Sequence, residues 1–414
     1  MNRDAPTRAG AARLHDRLLR PLSSRSEIAP FIVMDVMRAA NAREARLGPA
    51  GAANRAERVL HLEVGQPATP APARARAAAT IAMAERNLGY TEAIGLPELR
   101  ARIAGLYRDW YGLDIDAGRI VVTGGSSAAF ILAFLALFDP GATVALPSPG
   151  YPCYRHILGA LGLNTQTLAT DAASRWMPSV ETVAALGQTG DVSGLLLASP
   201  ANPTGTMLEP ERLKAIAQTC ETQSIWFISD EIYHGLTYGQ PAQSALCYSD
   251  QAIVINSFSK YFSMTGWRIG WMVVPQAAVR PIERLAQNLF ICPPVISQYA
   301  ALGALDAVDE LEQHRRTYAK NREILLEELP KAGLSRILPA DGAFYLYVDI
   351  TQRASSSLEL TRRMLDEIGI AATPGIDFDP ERGRQYMRLS YAGATDDIAE
   401  AARRIKGWLG NARV

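Results

Sequence analysis

The sequence predicts an α/β protein with a large domain, built on a mostly parallel β-sheet covered by helices, and a smaller α+β domain. Between Arg119 and Pro275 short β-branched or apolar runs recur, several with helical stretches between them, which is typical of a parallel sheet. After about residue 310 the pattern changes to a long charged helix, short strands and two further helices. A chain of 414 residues is long enough for two or three domains with their own cores.

The N-terminal region reads differently from the rest of the chain. Residues 1–26 carry six arginines and many alanines, as a mitochondrial presequence does, but interspersed acidic residues favour an ordinary flexible extension. From Ser26 the apolar spacing of Ile28, Phe31, Ile32, Met34 and Met37 predicts a short amphipathic helix, and the Ala/Gly/Arg-rich stretch Asn41–Arg58 reads as a disordered linker. We divide the chain into an extension (1–26), an arm with part of the small domain (27–66), the large domain (67–309) and the C-terminal small domain (310–414).

The large domain contains six stretches that we predict to be strands. They are Ile120–Val122, Thr143–Leu146, Leu195–Ala198, Ile225–Ser229, Ala252–Asn256 and Arg268–Val274. In open α/β sheets ligands bind beyond the carboxyl ends of the strands, so polar residues directly after these runs should converge on one crevice. Those residues are Gly124–Ser127, Pro147–Tyr151, Ser199–Gly205, Asp230–Tyr233 and Ser257–Lys260.

The overall composition excludes several classes of protein. Forty-two basic residues balance 42 acidic ones, so the net charge indicates neither nucleic acid nor a membrane surface as a partner. The longest apolar stretch, Ala128 to Phe138, is far shorter than the roughly 20 residues of a membrane-spanning helix. The four cysteines are widely separated and the five histidines scattered, which argues against a metal centre and a disulfide framework and fits a reducing compartment.

Lysine is rare in this chain, because 37 of the 42 basic residues are arginine. Lys214, Lys320 and Lys406 lie in charged, helix-like stretches, and Lys331 lies at a predicted helix end. Lys260 instead follows a predicted buried strand, where no solvated charged face is apparent. Since an amine can lose its proton and attack a carbonyl, Lys260 is a candidate nucleophile.

Several motifs occur in an order that one known family shares. They are Tyr90 with Gly95-Leu-Pro-Glu-Leu-Arg100, Gly125-Ser-Ser-Ala128, Asn202-Pro-Thr-Gly205, Asp230-Glu-Ile-Tyr233, Ser257-Phe-Ser-Lys260 with Arg268 eight residues on, and Arg388-Leu-Ser-Tyr391. From about Pro30 to the C-terminus the sequence resembles the fold-type-I, pyridoxal 5′-phosphate-dependent aminotransferases of class I/II. The resemblance implies a seven-stranded sheet in the large domain.

The resemblance assigns the catalytic roles to three residues. Lys260 would hold the cofactor aldehyde as a Schiff base and then carry a proton to and from the substrate α-carbon. Asp230 would face the pyridine nitrogen and keep it protonated, although a helix N-cap is the alternative for this aspartate. Tyr233 resembles the tyrosine that donates to the cofactor's phenolic oxygen, unless it is only a core residue. Glu231, beside Asp230, is expected at the surface.

The cofactor phosphate needs donors and positive charge. Backbone N–H groups at Ser126 and Ser127 open a predicted helix and would point at the anion. Arg268 resembles the arginine that pairs with the phosphate, and Ser257 resembles the serine whose hydroxyl contacts it. Tyr90 would reach the same phosphate from a neighbouring subunit.

Three further residues complete the expected site. Tyr151 would stack on the pyridine ring, although a tyrosine in a turn is the alternative reading. Asn202 would donate to the phenolic oxygen and contribute to substrate binding. Gly65 resembles the glycine whose backbone approaches the substrate.

Substrate recognition is expected at Arg388, which would bind the α-carboxylate; an arginine on a solvated strand face is the alternative. Ile28, Phe31 and Ile32 are expected to line the side-chain pocket. Two stretches depart from the family pattern: Pro374–Gly383 is more acidic than the usual small-residue loop, and Ser127-Ala128 replaces more typical polar pairs.

We therefore expect a cytoplasmic, homodimeric aminotransferase that moves an amino group between an L-amino acid and a 2-oxo acid in a ping-pong cycle. A β-eliminating lyase on the same scaffold is the alternative enzyme. A non-catalytic effector domain of a transcriptional regulator is the alternative from another class, but no helix-turn-helix precedes the matched region. The sequence does not identify the donor or acceptor.

Overall fold

A seven-stranded sheet forms the centre of the computed structural model, which describes residues 20, 22–54 and 57–411. The described residues form three sheets. Their strands in chain order are β1 (Leu60–His61), β2 (Ile120–Thr123), β3 (Thr143–Ser148), β4 (Asn164–Ala169), β5 (Val192–Ala198), β6 (Trp226–Asp230), β7 (Ile253–Ser257), β8 (Gly270–Val273), β9 (Tyr345–Asp349), β10 (Ile370–Ala371), β11 (Thr373–Pro374) and β12 (Tyr386–Ser390). The order across the large sheet is β2-β8-β7-β6-β5-β3-β4. Only β8 runs antiparallel to its neighbours in that sheet. The mostly parallel seven-stranded sheet is confirmed.

Helices cover both faces of this sheet. In chain order the helices of the described residues are α1 (Ile32–Ala53), α2 (Ala73–Glu85), α3 (Pro97–Tyr111), α4 (Ser126–Leu137), α5 (Pro152–Ala160), α6 (Val180–Thr189), α7 (Pro210–Thr222), α8 (Gln276–Leu289), α9 (Val295–Leu305), α10 (Val308–Lys331), α11 (Ser357–Ile368) and α12 (Thr395–Asn411). Of these, α1, α11 and α12 contact strands outside this sheet. Successive strand residues belong to two different apolar clusters: Val254 packs in one, and Ile253 and Ile255 pack in the other. Because both faces are buried, these strands read as continuous apolar runs.

All six strands located from the sequence are present, but β4 was missed. Its residues Asn164–Ala169 are mostly exposed and polar, because β4 pairs only with β3 at the edge of the sheet. An edge strand has less need of apolar residues on both faces than a central one. The apolar pattern therefore carried no signal for it.

A second, three-stranded antiparallel sheet has the order β11-β12-β9, and α10 packs against α12 beside it. Strand β1 pairs in parallel with β10, so Leu60 and His61 join the C-terminal part of the chain. Within the described residues no helix is long and apolar enough to cross a membrane.

The N-terminal helix differs from the prediction. It begins at Ile32, not near Ser26, and continues to Ala53 with an interruption at Gly48, so the predicted linker Asn41–Arg58 is largely helical. Ala40 is fully buried in a cluster with Leu365, which gives this stretch a packing partner that the sequence did not reveal. Most of the predicted extension 1–26 lies outside the described residues.

Candidate active site

A cavity of about 250 Å³ lies where the carboxyl ends of the parallel strands meet the three-stranded sheet. The predicted convergence of loops on one crevice is thereby confirmed. The predicted site residues that line it are Gly65, Ser126, Ser127, Tyr151, Asn202, Asp230, Tyr233, Lys260, Arg268 and Arg388. Ser257 and Tyr90 do not line it.

Lys260 lies in the turn after β7, and its Nζ donates to the carbonyl oxygen of Gly65 at 2.5 Å. Burial, with smaller contributions from the charges of Arg388 and Arg268, lowers the pKa of Lys260 from 10.5 to about 8. A substantial fraction of this amine is therefore neutral near pH 8, unlike an ordinary surface lysine. The other four lysines occupy helices, as predicted.

Asp230 ends β6 and is buried. Its Oδ1 accepts from the backbone N–H of Ile232 at 3.0 Å, and its Oδ2 accepts from the hydroxyl of Tyr154. Burial raises the pKa of Asp230 to about 6, while Lys260 favours the ionised form. A buried carboxylate that faces a cavity and forms no ion pair within the described residues is an attractive site for a ligand cation.

Tyr154 was missed by the sequence analysis although it both lines the cavity and bonds to Asp230. It lies on α5, three residues after Tyr151, and the two rings are 5.3 Å apart in an edge-to-face arrangement. Positions three apart share a helix face, so the pair Tyr151 and Tyr154 was the available signal.

Glu231 is buried, so the prediction of a surface residue is wrong. Its Oε1 accepts from the hydroxyls of Ser229 and Ser244 and from the backbone N–H of Ala245. Its own N–H donates to the carbonyl of Ile255, which ties the turn after β6 to the sheet. Burial raises the pKa of Glu231 to about 8.

One end of the cavity is built to receive an anion. Helix α4 begins there at Ser126, and no side chain caps its first N–H groups. Gly125 has a φ of 86°, and a Cβ at that position would lie 2.5 Å from Nη2 of Arg268. Glycine is thus required for the close approach of the guanidinium to the helix N-terminus.

Ser257 is placed differently from the expectation. Its Oγ donates to the carbonyl of Ile269 at 3.0 Å and accepts from the backbone N–H of Ser259 at 3.1 Å. Ser259, together with Thr265, lines the cavity instead. Ser257 therefore braces the turn, because its hydroxyl is already engaged within the protein.

Arg388 also lines the cavity and is buried, not on a solvated face. Its Nη1 donates to Oδ1 of Asn202 at 2.9 Å, and its Nη2 donates to the carbonyl of Glu63. The guanidinium carbon lies 4.3 Å from the ring centre of Tyr345 and 4.7 Å from that of Phe378. Nε has no hydrogen-bond partner among the described residues, so the group retains a donor.

Tyr233 and Gly65 both lie against Tyr345 in the cavity. The hydroxyl of Tyr233 is 2.8 Å from that of Tyr345, another cavity residue that the sequence analysis missed. A Cβ at Gly65 would collide with the hydroxyl of Tyr345, so only glycine fits there. No sequence pattern connects Tyr345 to this site, because it comes from β9 in the C-terminal part of the chain.

The mouth of the cavity is apolar and comes from the start of α1. Phe31, Val33 and Met34 line it, whereas Ile28 and Ile32 do not, which corrects two of the three predicted pocket residues. Phe31 packs edge-to-face on Tyr151 at 5.9 Å between ring centres. Because α1 begins at Ile32 and not near Ser26, the residues that it presents to the cavity are Val33 and Met34.

Tyr90 lies outside the cavity of its own chain and has 87 % of its surface exposed. Its exposure leaves it accessible to another subunit.

No group of His, Cys, Asp and Glu side chains suited to a metal ion occurs in the described part of the chain.

Comparison with known proteins agrees with this geometry. The family model of aminotransferase class I and II matches residues 57–405. The chain is 44 % identical over 389 residues to valine–pyruvate aminotransferase of Mycobacterium tuberculosis, covering 93 % of this chain and 97 % of that protein. It is 33 % identical to (5-formylfuran-3-yl)methyl phosphate transaminase of Methanocaldococcus jannaschii, covering 92 % of this chain and 96 % of the relative.

The fold also matches that of a solved aminotransferase. The crystal structure of an aminotransferase from Mycobacterium tuberculosis superposes with a TM-score of 0.90 and 44 % identity, covering 95 % of this chain and 100 % of that one. All three of these proteins are named as aminotransferases or transaminases and none as a lyase. The chain belongs to the class I and II aminotransferases and is an enzyme that transfers amino groups.

Proposed function

We propose that this enzyme uses pyridoxal 5′-phosphate held by Lys260 to move an amino group from an amino acid with an apolar side chain to a 2-oxo acid. The observation that carries the proposal is the position of Lys260, an amine of lowered pKa in one cavity with Arg268, Arg388 and the buried Asp230. When bound, the cofactor supplies an aldehyde that an amine can join and a ring that withdraws electrons from the substrate α-carbon.

The residues present fit this cofactor. Arg268, the uncapped start of α4 and the hydroxyl of Ser259 suit the phosphate. Asp230 suits a protonated ring nitrogen, because a cation there offsets the cost of burying its charge. Tyr233 and the amide of Asn202 suit the phenolic oxygen, and Tyr151 would pack on the ring.

Lys260 has the properties of a proton carrier at the substrate α-carbon. A pKa of about 8 lies close to neutral pH, where an acid–base group is most effective. Its free Nζ donates to the carbonyl of Gly65, so an amine at this position is oriented within the cavity. The rings of Tyr233 and Phe344, about 6 Å away, limit access of water to it.

Arg388 suits the substrate α-carboxylate. Its guanidinium is held between two aromatic rings and by Asn202, so its plane is fixed and it can offer two parallel donors. This arrangement orients the substrate without a change in the arginine's own position.

The lining of the cavity mouth supports an apolar substrate side chain. Among the described residues, the basic groups that line the cavity are Lys260, Arg268 and Arg388, and each already has a proposed role. No further cation remains there for a side-chain carboxylate, whereas Phe31, Val33 and Met34 offer apolar surface. The similarity to an enzyme named for valine and pyruvate supports the same class.

A panel of amino acids tests this proposal. We expect aliphatic amino acids such as valine to bleach the absorbance of the bound cofactor faster than aspartate or lysine does. The expected difference in kcat/KM is at least about tenfold. An amino acid with a sulfur leaving group should be transaminated without release of pyruvate and ammonia. Fastest conversion of aspartate would contradict the proposed substrate class, and steady ammonia release would indicate a lyase.

We also propose that the enzyme is a homodimer with shared active sites. Large apolar side chains of the described chain are exposed near Tyr90 and at the end of α8, which supports burial against a second copy. They are Ile81, Met83, Leu88, Leu289, Phe290 and Ile291. In a symmetric dimer Tyr90 of each chain would complete the phosphate site of its partner.

Mixing two defective variants tests the shared site. A Lys260→Ala chain and a Tyr90→Ala chain should each be impaired, but a mixed dimer contains one site with neither defect. Random exchange at equal concentrations should therefore restore about a quarter of wild-type activity, since half the dimers are mixed and each has one intact site. Exchange is followed independently by the masses of two differently tagged chains. Complete exchange without recovery would remove Tyr90 from the site.

We also propose that the chain folds into two domains and works in the cytoplasm. Pairing of β1 with β10 supports a small domain made of residues 27–66 and 310–414, and the seven-stranded sheet supports a large domain at 67–309. The cysteines at 153, 220, 247 and 292 are free thiols, which supports work in the reducing cytoplasm.

A further inference from the structure

The acidic segment Pro374–Gly383, which departs from the family pattern, contains an aspartate that holds the start of α1. Asp377 is 1 % exposed. Its Oδ1 accepts from the backbone N–H of Ile32 at 3.2 Å, and its Oδ2 accepts from that of Val33 at 3.1 Å. The first N–H groups of a helix have no partner within it, so the carboxylate satisfies two of them with favourable charge.

The same segment also contacts the proposed carboxylate-binding arginine. The residue after Asp377, Phe378, stacks on the guanidinium of Arg388. The carbonyl of Phe378 accepts from the backbone N–H of Gly150 at 3.1 Å, directly before Tyr151. One short segment thus links the arginine, the turn that carries Tyr151 and the start of α1.

Asp379 and Arg382 fasten this segment to the large sheet. Nε of Arg382 donates to Oδ2 of Asp379 at 3.0 Å. Its Nη1 donates to the carbonyl of Thr170 at 2.7 Å, and its Nη2 donates to that of Ser148 at 2.9 Å. These bonds hold the segment that carries Asp377 against the ends of β3 and β4.

We propose that Asp377 is a specificity-determining positioning residue, which sets the start of α1 so that Phe31, Val33 and Met34 form the wall that contacts the apolar side chain of the substrate. The inference rests on the proposed function, because it needs an amino acid bound at Arg388. Asp377 does not line the cavity itself, so it acts through α1 and not by contact with substrate.

An aspartate suits this role better than a neutral residue. Burial raises the pKa of Asp377, but the two N–H groups and the charges of Arg388 and Arg155 act in the opposite direction and favour its ionised form. Both oxygens can then accept at once, whereas an asparagine side chain offers a single acceptor oxygen. Asp377→Asn keeps the shape and removes one of the two bonds.

The test compares amino acids of increasing side-chain length with the cofactor-loaded enzyme. For Asp377→Asn we expect kcat/KM for valine and norvaline to fall about tenfold, and that for alanine to stay within about twofold, because only the longer side chains reach the wall. Amide hydrogen exchange in the peptide covering residues 28–37 should become faster in the variant, independently of activity.

Two further variants separate positioning from general destabilisation. Ser179→Ala removes the N-cap of α6, a helix that packs on α7 and β5 and not on the segment of Asp377, and should leave the valine-to-alanine ratio unchanged. Phe31→Ala should lower that ratio by itself, and adding Asp377→Asn should lower it little further, because both changes act on one wall. Phe31→Ala also tests the wall if Asp377→Asn does not fold.

Equal losses for alanine and valine in Asp377→Asn, or an unchanged ratio in Phe31→Ala, would overturn the inference while leaving the proposed function intact. Unchanged hydrogen exchange at residues 28–37 would also overturn it. A wild-type enzyme that reacts with no amino acid would overturn the proposed function, and this inference with it.

Discussion

Lys260→Ala is expected to abolish multiple-turnover transamination and to leave a folded protein. The amine at Nζ is proposed both to hold the cofactor and to move the α-proton, and loss of a positioned acid–base group alone costs roughly 10²–10⁴-fold in rate. Folding should not suffer, because burial lowers the pKa of Lys260 and its charged form is unfavourable in the folded chain. Steady-state rates and thermal unfolding of the same preparations measure the two effects.

Lys214→Ala is the matched control for this change. Lys214 is exposed on α7, so its removal should alter neither rate nor melting temperature. Lys260→Arg provides a second comparison, since it retains a positive charge but not a readily deprotonated amine, and it should be as inactive as alanine. Turnover by Lys260→Ala within a few-fold of wild type would exclude the assigned role.

Asp230→Asn is expected to slow α-proton abstraction by roughly a hundredfold or more with little change in stability. Asparagine can still accept from the N–H of Ile232, so any capping of the turn survives while the negative charge is lost. The folded pKa of about 6 lies above the usual 3.8, so ionising this carboxyl costs stability as the pH rises through that interval. Removing the charge should therefore not lower the melting temperature at neutral pH.

Single-turnover rates with an α-deuterated amino acid identify the step that Asp230→Asn slows, since a slow proton transfer shows a large isotope effect. Asp114→Asn, which removes an exposed charge paired with Arg108, is the control and should have no effect on the rate. Tyr154→Phe keeps the charge of Asp230 but removes one hydrogen bond to it, and should have an intermediate effect. If the activity of Asp230→Asn stays within a few-fold of wild type, Asp230 acts only as a helix N-cap and not as the partner of the ring nitrogen.

The large sheet could be predicted because its central strands are buried on both faces. Runs such as Ala252–Ile255 are then continuously apolar, and the polar residues that follow such runs mark the cavity. Strand β4 lacked that signal because it is an exposed edge strand. The length of α1 was missed because the burial of Ala40 depends on contacts with Leu365 and Val59, of which Leu365 lies far along the chain.

The site residues that follow strands of the large sheet or match a motif of the family were predicted, and others that reach the cavity from elsewhere were not. Tyr345 lies on β9, next to the strand β12 that carries Arg388, and Phe378 lies in the segment between β11 and β12. Their contacts with Arg388 depend on the pairing of these strands, which no sequence pattern indicates. Asp377 was noticed only as an unusual charge, since its partners at Ile32 and Val33 lie at the other end of the sequence. The burial of Glu231 likewise depends on hydrogen bonds that its carboxylate accepts from the hydroxyl of Ser244 and the backbone N–H of Ala245.

The attachment of the cofactor to Lys260 is the central claim, and reduction with borohydride tests it most directly. Wild-type enzyme loaded with pyridoxal phosphate is reduced, digested and mapped for the pyridoxyl label by mass spectrometry. The label is expected on Lys260, whose amine is the one lysine in the cavity of the described chain. Stoichiometric label on Lys214, Lys320, Lys331 or Lys406, with Lys260 unmodified, would contradict the account.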